Sequence, residues 1–178
     1  MSYFNNEGKI LIATPFVTNN LFQHSVIYIH TDDSTGAMGI MLNVPMETSI
    51  ATQFAAEIDW NYPDSIRHGG PIDQHLGYVI HSTDYDCETS INLNTDLGYT
   101  GGSHIITDIN AGYGPRDFML VTGYCQWQPH QLEAELDDAM WTVAEFDINF
   151  FFQGQTRDTE WVDAVYLAAG QRAALLLD

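Results

Sequence analysis

The sequence predicts one mixed α and β domain, because short β-rich runs alternate with segments of helical periodicity from one end to the other, a pattern that excludes an all-helical bundle. A length of 178 residues fits a single compact unit. Hydrophobic residues make up 45% of the chain and aromatic residues 12%, so a core can form although 5 Lys+Arg face 24 Asp+Glu, a formal charge of −19. No repeat, low-complexity tract or Ser/Pro-rich linker divides the chain, and residues 1–178 are read as one domain.

Ile10–Ala13 and Ser25–His30 are the first β-rich runs, and the polar cluster Thr31–Thr35 followed by Gly36 marks a hairpin turn. Its return strand is Ala37–Asn43, where Gly36 and Gly39 supply backbone conformations or close approaches that a side chain would block, and Pro45 ends the pairing. Over Thr48–Ile58, Ile50, Phe54 and Ile58 recur every fourth position, which predicts a short helix capped by Thr48 or Ser49. Tyr78–His81 and Phe118–Thr122 read as strands. Ser103, followed by Ile105, Ile106 and Ile109, reads as a capped helix stopped near Gly112, Gly114 and Pro115. Gln131–Met140 is an acidic amphipathic helix, with Leu132 and Leu136 on one face and Glu133, Glu135, Asp137 and Asp138 elsewhere. Ile148–Phe152 reads as a fully buried strand, and Thr159–Gly170 as a covering helix with Trp161, Val165 and Ala168 or Ala169 on its inner face.

A sequence pI of about 4.2 excludes a phosphate-neutralising surface, since duplex binding draws most of its affinity from Lys and Arg, and only Lys9, Arg67, Arg116, Arg157 and Arg172 are present. The scattered negative charge predicts a soluble surface that repels nucleic acid and anionic membrane, suited to a salt-rich habitat or a basic partner. Two cysteines are too few for a disulfide scaffold and are not spaced as a metal knuckle or a Cys-x-x-Cys pair, which fits a reducing compartment. With neither a secretory leader pattern nor an apolar run of bilayer length, the expected location is cytoplasmic.

Seven histidines, His24, His30, His68, His75, His81, His104 and His130, are dispersed without zinc-site spacing, and no metal or cofactor is expected. The competing cation reading would place His30, Asp32 and Asp33 beside His68 or His81. Among nucleophiles, Cys87, Cys125 and Ser82 beside His81 stand out, but none lies in a Gly-x-Ser-x-Gly turn. Cys125, between a strand and a helix, reads as a small inert thiol. Gly69-Gly70-Pro71, beside Arg67 and His68, has the composition of an anion-holding backbone nest, yet it lacks the lysine of a phosphate loop, and a tight structural turn is the preferred reading.

Several segments belong together: Gly8-x-x-Leu11-Ile12-Ala13-x-Pro15, Phe22-x-x-Ser25-Val26-Ile27-Tyr28, Gly36-Ala37-Met38-Gly39-Ile40 and Asn43-x-Pro45, then Gly69-Gly70-Pro71, Gly77-x-Val79-Ile80-His81, Gly114-Pro115, Gly123-Tyr124-x-x-Trp127, Gln131-Leu132-Glu133-x-Glu135-Leu136, Trp141 and Trp161. In this order they resemble the AlgH/YqgE family of bacterial proteins, from about Gly8 to Gly170, leaving 171–178 as a C-terminal tail. The resemblance implies an α+β domain in which a mixed, bifurcated β-sheet, partly closed into a small barrel, is surrounded by helices. It implies no securely assigned biochemical activity; the name AlgH comes from a proposed role in transcriptional control of alginate production. The chain departs from the family pattern at His30, Thr31 and Asp32, where many members carry Cys-Glu-His, at His130, where relatives carry Gly, and at Gln126, where a small residue is usual.

The matching positions suited to hydrogen bonding are Asn43, Gly69, Gly70, His81, Tyr124, Gln131 and Glu133, which form the candidate ligand-binding pocket. Each also has a structural reading: Asn43 ties a turn, Glu133 completes a helix start, Tyr124 packs with its hydroxyl on a carbonyl. The function expected first is a cytoplasmic regulatory or adaptor protein that binds a protein partner or a small ligand and does not itself bind DNA. The alternative is a hydrolase or transferase for a small anionic compound, with the glycine pair holding the anion and His81 or Glu133 moving a proton. Oligomeric state is left open.

Overall fold

The computed structural model describes residues 5–150 and 156–176. Along the chain run β1 (Lys9–Ala13), β2 (Val26–Asp33), β3 (Gly36–Met41), α1 (Thr48–Glu57), β4 (Ile66–His68), β5 (Ile72–Ser82), β6 (Ser90–Asn92), β7 (Leu97–Thr100), α2 (Ser103–Asn110), β8 (Phe118–Trp127), α3 (Gln131–Asp137), β9 (Trp141–Glu145) and α4 (Arg157–Leu175). The strands form one sheet in the order β6-β7-β5-β8-β3-β2-β1-β9, with β4 paired to β8. All these pairings are antiparallel except β4 with β8, which is parallel.

The fold is α+β, a curled, predominantly antiparallel half-barrel surrounded by helices. Curling is visible where Tyr28 of β2 donates its hydroxyl to the Leu93 carbonyl at 3.3 Å, next to β6, although four strands separate β2 from β6 in the sheet order. Alternating residues of β1, β2, β3 and β8 (Ile10, Ile12, Val26, Tyr28, Ile40, Met119) meet Ile80 and Leu97 inside this curl, and α4 closes it with Ala164 and Ala168. On the other face, Leu11, Ile27, Met41, Cys125 and Trp127 pack beneath Leu132 of α3. A third cluster seats Ala51 and Ala55 of α1 and Ile105 and Ile109 of α2 against Ile66, Val79 and Leu120.

The sheet divides at β8. Its Cys125–Trp127 end pairs with β3, while Leu120–Thr122 pairs with β4. The chain beyond β3 then follows the far side of β4, with the His68 amide on the Val44 carbonyl at 2.8 Å and the Met46 amide on the Ile66 carbonyl at 3.1 Å. Pro45 thus forms an isolated antiparallel bridge with Arg67 and does not end pairing outright.

Other expectations are corrected by particular contacts. β2 continues through the polar cluster to Asp33 because the buried Asp32 carboxylate accepts the Asn6 amide at 2.9 Å and its side-chain Nδ2 at 2.8 Å, and a register shift between Ile29 and Thr31 places a bulge at His30. α1 is capped by Glu47, whose carboxylate accepts the Ser49 and Ile50 amides at 3.1 and 3.2 Å; its buried face is Ala51 and Ala55, and Ile50 is 57% exposed. α2 has Gly102 at its cap with φ of 103°, and the Ser103 side chain does not cap it. Ile148–Phe150 is a 3-10 turn instead of a strand, because the Asp147 carboxylate draws in the Asn149 amide at 3.0 Å; Phe151 and Phe152 lie outside the described residues. Cys125 lies within β8 and not between strand and helix. α4 starts earlier and ends later than predicted, capped by the Thr156 hydroxyl, and its buried stripe is Glu160, Ala164 and Ala168, leaving Val165 41% exposed. α3 stops at Asp137, and Ala139 with φ of 56° turns the chain into β9.

Candidate functional site

A cleft of about 340 Å³ opens where the outer face of β8 meets α3. Trp127 of β8 and Trp141 of β9 form its floor with ring centroids 6.4 Å apart and planes at 83°, and Phe22 stands edge-on to Trp141 at 6.4 Å. Glu135 of α3 fixes both indoles: one carboxylate oxygen accepts Nε1 of Trp127 at 2.9 Å and Nε1 of Trp141 at 2.7 Å. The other accepts Nε2 of Gln131 at 2.9 Å, and the Gln131 carbonyl oxygen accepts the Gln128 amide at 3.0 Å. These donors are all uncharged, so the carboxylate keeps its negative charge at the edges of the two indoles. Pro71 also lines the cleft.

A second cleft of about 330 Å³ is lined by His30, Met38, Ile40, Tyr78, Tyr99 and Tyr124. The Tyr78 hydroxyl donates to the Gly123 carbonyl at 2.8 Å, and burial pushes this phenol well above its ordinary range. Burial also lowers the His30 imidazole, which meets Tyr99 edge-on at 6.0 Å. Tyr124 donates to Asp73 at 3.2 Å, and desolvation followed by the Asp73 charge raises its phenol.

Of the predicted residues, Gly69, Gly70, Tyr124 and Gln131 gather around one stretch of β8, Tyr124 and Gln131 in different clefts. At Gly69 and Gly70 an added Cβ would lie 2.4 Å from the Gly123 carbonyl oxygen and 2.1 Å from the Tyr124 carbonyl. Their amides donate inward, Gly69 to the Thr122 carbonyl at 2.8 Å and Gly70 to Nδ1 of His68 at 3.2 Å, so the turn is a backbone packing device whose donors are already engaged. Asn43 is buried elsewhere: its Oδ1 accepts the Val26 amide at 2.8 Å while Nδ2 donates to the carbonyls of His24 at 2.8 Å and Arg157 at 3.0 Å, tying β2 to the start of α4. His81 is fully buried between the Ser82 carbonyl and the Thr100 hydroxyl, both at 2.8 Å, and burial lowers its imidazole. Glu133 is half-buried on α3 and lines neither cleft. Phe22, Glu135 and Trp141 complete the first cleft; all three stand in the motif segments, but sequence spacing carried no sign that they meet.

Among the described residues, no group of three or more His, Cys, Asp or Glu is placed to hold a metal ion, and no helix is long and apolar enough to cross a membrane. The pattern of DUF179, described as AlgH-like, matches residues 10–173. A UPF0301 protein of Bartonella quintana is 30% identical over 159 residues, covering 82% of this chain and 81% of that one, and one of Rickettsia rickettsii is 30% identical over 168 residues, covering 92% and 88%. The solution structure of the AlgH protein from Pseudomonas aeruginosa superposes with a TM-score of 0.72 at 26% identity, over 99% of this chain and 95% of that one. A Corynebacterium diphtheriae protein shares the fold alone, with a TM-score of 0.71 at 19% identity over 89% and 85% of the two chains. By sequence pattern and by architecture, the chain belongs to the AlgH-like (UPF0301) family.

Proposed function

We propose that the chain works as a cytoplasmic adaptor, holding a segment of a protein partner in the Trp127–Trp141 cleft and touching no nucleic acid itself. The observation that carries this reading is the pair of indoles fixed edge-to-face by Glu135, a rigid aromatic floor within a cleft of about 340 Å³. Preorganised aromatic pockets of this size take one large apolar side chain at low entropic cost. The uncompensated Glu135 carboxylate, the exposed Asp137 and Asp138 beside it and the formal charge of −19 favour a segment that pairs this apolar anchor with Arg or Lys, a cation that also stacks on indole. The same charge repels phosphate backbones.

The test is site-specific photocrosslinking in cells from a benzoylphenylalanine placed at position 22, with position 113, whose Tyr is 80% exposed, as control. A discrete protein adduct at position 22, weakened by raised salt, is expected. Adducts equal to the control, or a cleft occupied only by a small molecule in native mass spectrometry, would overturn the reading.

A further inference from the structure

The segment joining β5 to β6 carries Cys87 against α2. Nε2 of His104, the second residue of α2, lies 3.1 Å from the Cys87 sulfur. The Ser90 hydroxyl lies 3.1 Å from the same sulfur and the Thr89 hydroxyl 3.5 Å. A nucleophile and a base within hydrogen-bond reach, each held by its own element, is the arrangement that activates a thiol. Cys87 is half-buried, whereas Cys125 is buried.

We propose that Cys87 and His104 form a thiolate–imidazolium pair that takes an oxygen atom from a small neutral hydroperoxide, making Cys87 an oxidation site of this protein. In the step, the Cys87 thiolate attacks one peroxide oxygen, the S–O bond forms as the O–O bond breaks, and sulfur gives up two electrons. The departing hydroxide takes the proton of the His104 imidazolium and leaves as water, so hydrogen peroxide yields the sulfenic acid, water and neutral imidazole.

Charges around the pair select the oxidant. Asp86 and Glu88 flank Cys87 on its own segment, Tyr85 beside it donates to Asp108 of α2 at 2.7 Å, and the chain as a whole is strongly anionic. This shell repels anionic disulfides, leaving an uncharged peroxide as the reagent that approaches freely. Partial burial opposes the thiolate, but the contacts from Ser90, Thr89 and His104, with the Thr89 amide, outweigh it and bring the thiol down to about 6. Cys125 offers no resolving thiol: it is buried against the Gly69 carbonyl, and burial pushes it up to about 12. The sulfenic acid formed at Cys87 therefore persists until an external thiol reduces it.

The Ser90 hydroxyl also reaches the Thr100 hydroxyl at 2.7 Å, which lies 2.8 Å from Nε2 of buried His81. Of the groups in contact with the sulfur, His104 is the one that can carry a proton to the departing oxygen.

The full-length protein is treated with hydrogen peroxide and dimedone, and the adduct is mapped by mass spectrometry; in parallel, the iodoacetamide rate at Cys87 is followed against pH. The expected results are an adduct at Cys87 and none at Cys125, an alkylation midpoint near pH 6, and in His104→Gln a midpoint raised by about one pH unit or more with circular dichroism unchanged. An adduct absent or confined to Cys125, a wild-type midpoint at the ordinary thiol value of about 8.5, or a midpoint indifferent to His104→Gln would overturn the proposal. Should His104→Gln fail to fold, the wild-type midpoint and adduct position decide alone.

Discussion

Replacing Glu135 by Ala is the sharpest probe of the aromatic cleft, because one carboxylate holds three donors from three segments: the Trp127 indole at 2.9 Å, the Trp141 indole at 2.7 Å and the Gln131 amide at 2.9 Å. A hydrogen bond to a charged acceptor contributes about 1.5–3 kcal/mol where water is excluded, and less where it enters. Both indole contacts are partly buried and the Gln131 contact is exposed, so the two indoles dominate. Taking each at the low end gives a loss of about 3 kcal/mol for Glu135→Ala, which lowers the melting temperature by about 6–12 °C in a domain of this size. Glu135→Gln keeps an oxygen able to accept both indoles but loses the charge and sets its amide nitrogen against the exposed Gln131 donor, so about 1 kcal/mol is expected. Thermal and urea unfolding followed by tryptophan emission and near-ultraviolet circular dichroism measures both, and a double-mutant cycle with Trp141→Phe isolates one bond with an expected coupling of about 1 kcal/mol. A Glu135→Ala protein within about 0.5 kcal/mol of wild type, with its near-ultraviolet spectrum intact, would refute the claim that this carboxylate organises the floor.

Gly70→Ala places a Cβ 2.1 Å from the Tyr124 carbonyl and should cost about 3 kcal/mol or prevent folding, whereas Gly101→Ala, with nothing within 4 Å, should stay within about 0.5 kcal/mol; comparative urea melts report the contrast. Burial raises the Glu160 carboxyl to about 7, with the Arg67 charge partly opposing and Asp163 adding to the rise. Because the native state then holds this proton more tightly than the unfolded chain, stability falls as pH climbs from about 4.5 to about 7, by up to about 3 kcal/mol, and Glu160→Gln should flatten that part of the stability profile. A random DNA duplex at about 0.15 M salt should show no retention in filter binding, and retention that declines with salt would count against the adaptor reading.

The sequence carried the elements with strong local signals and lost those that depend on partners. β1, β2, β3 and the centres of β5 and β8 are apolar runs bounded by turns, and all four helices show a 3.6-residue period. β4, β6 and β7 have three or four residues each, too few for alternation to register, and they are strands because β8 offers β4 an edge, β5 offers one to β7 and β7 offers one to β6. Helix faces were misassigned where small residues won: Ala51 with Ala55, and Ala164 with Ala168, let α1 and α4 approach the sheet, so the larger Ile50 and Val165 turn to solvent. In the site, the segments carrying Pro71, Trp127 and Gln131 were legible as motifs. Their convergence with Phe22 and Trp141 was not, because it follows from sheet order, which no local pattern encodes. His104 lies 17 residues from Cys87 on a separate element, a spacing no metal or catalytic motif marks.

The glycine turn explains why a cleft exists beside β8 at all. β3 can pair with β8 only along Cys125–Trp127, because farther along that edge β4 enters and takes Leu120–Thr122. For β4 to enter, the chain after it must leave across the β8 backbone at contact distance, which Gly69 and Gly70 permit and any Cβ at either position would forbid. Gly123 yields from the other side, in the left-handed region with φ of 72° and its own missing Cβ 2.4 Å from the Gly70 carbonyl oxygen. The crossing delivers Pro71 to the cleft that Trp127 also lines, so the residues resembling an anion nest act instead by shaping an apolar cleft a few residues away. On this account Gly69→Ala and Gly123→Ala should disturb the Trp127 and Trp141 indole N–H resonances even where the protein still folds, since both substitutions move Pro71 relative to β8. Unshifted indole signals in a folded variant would separate the turn from the cleft.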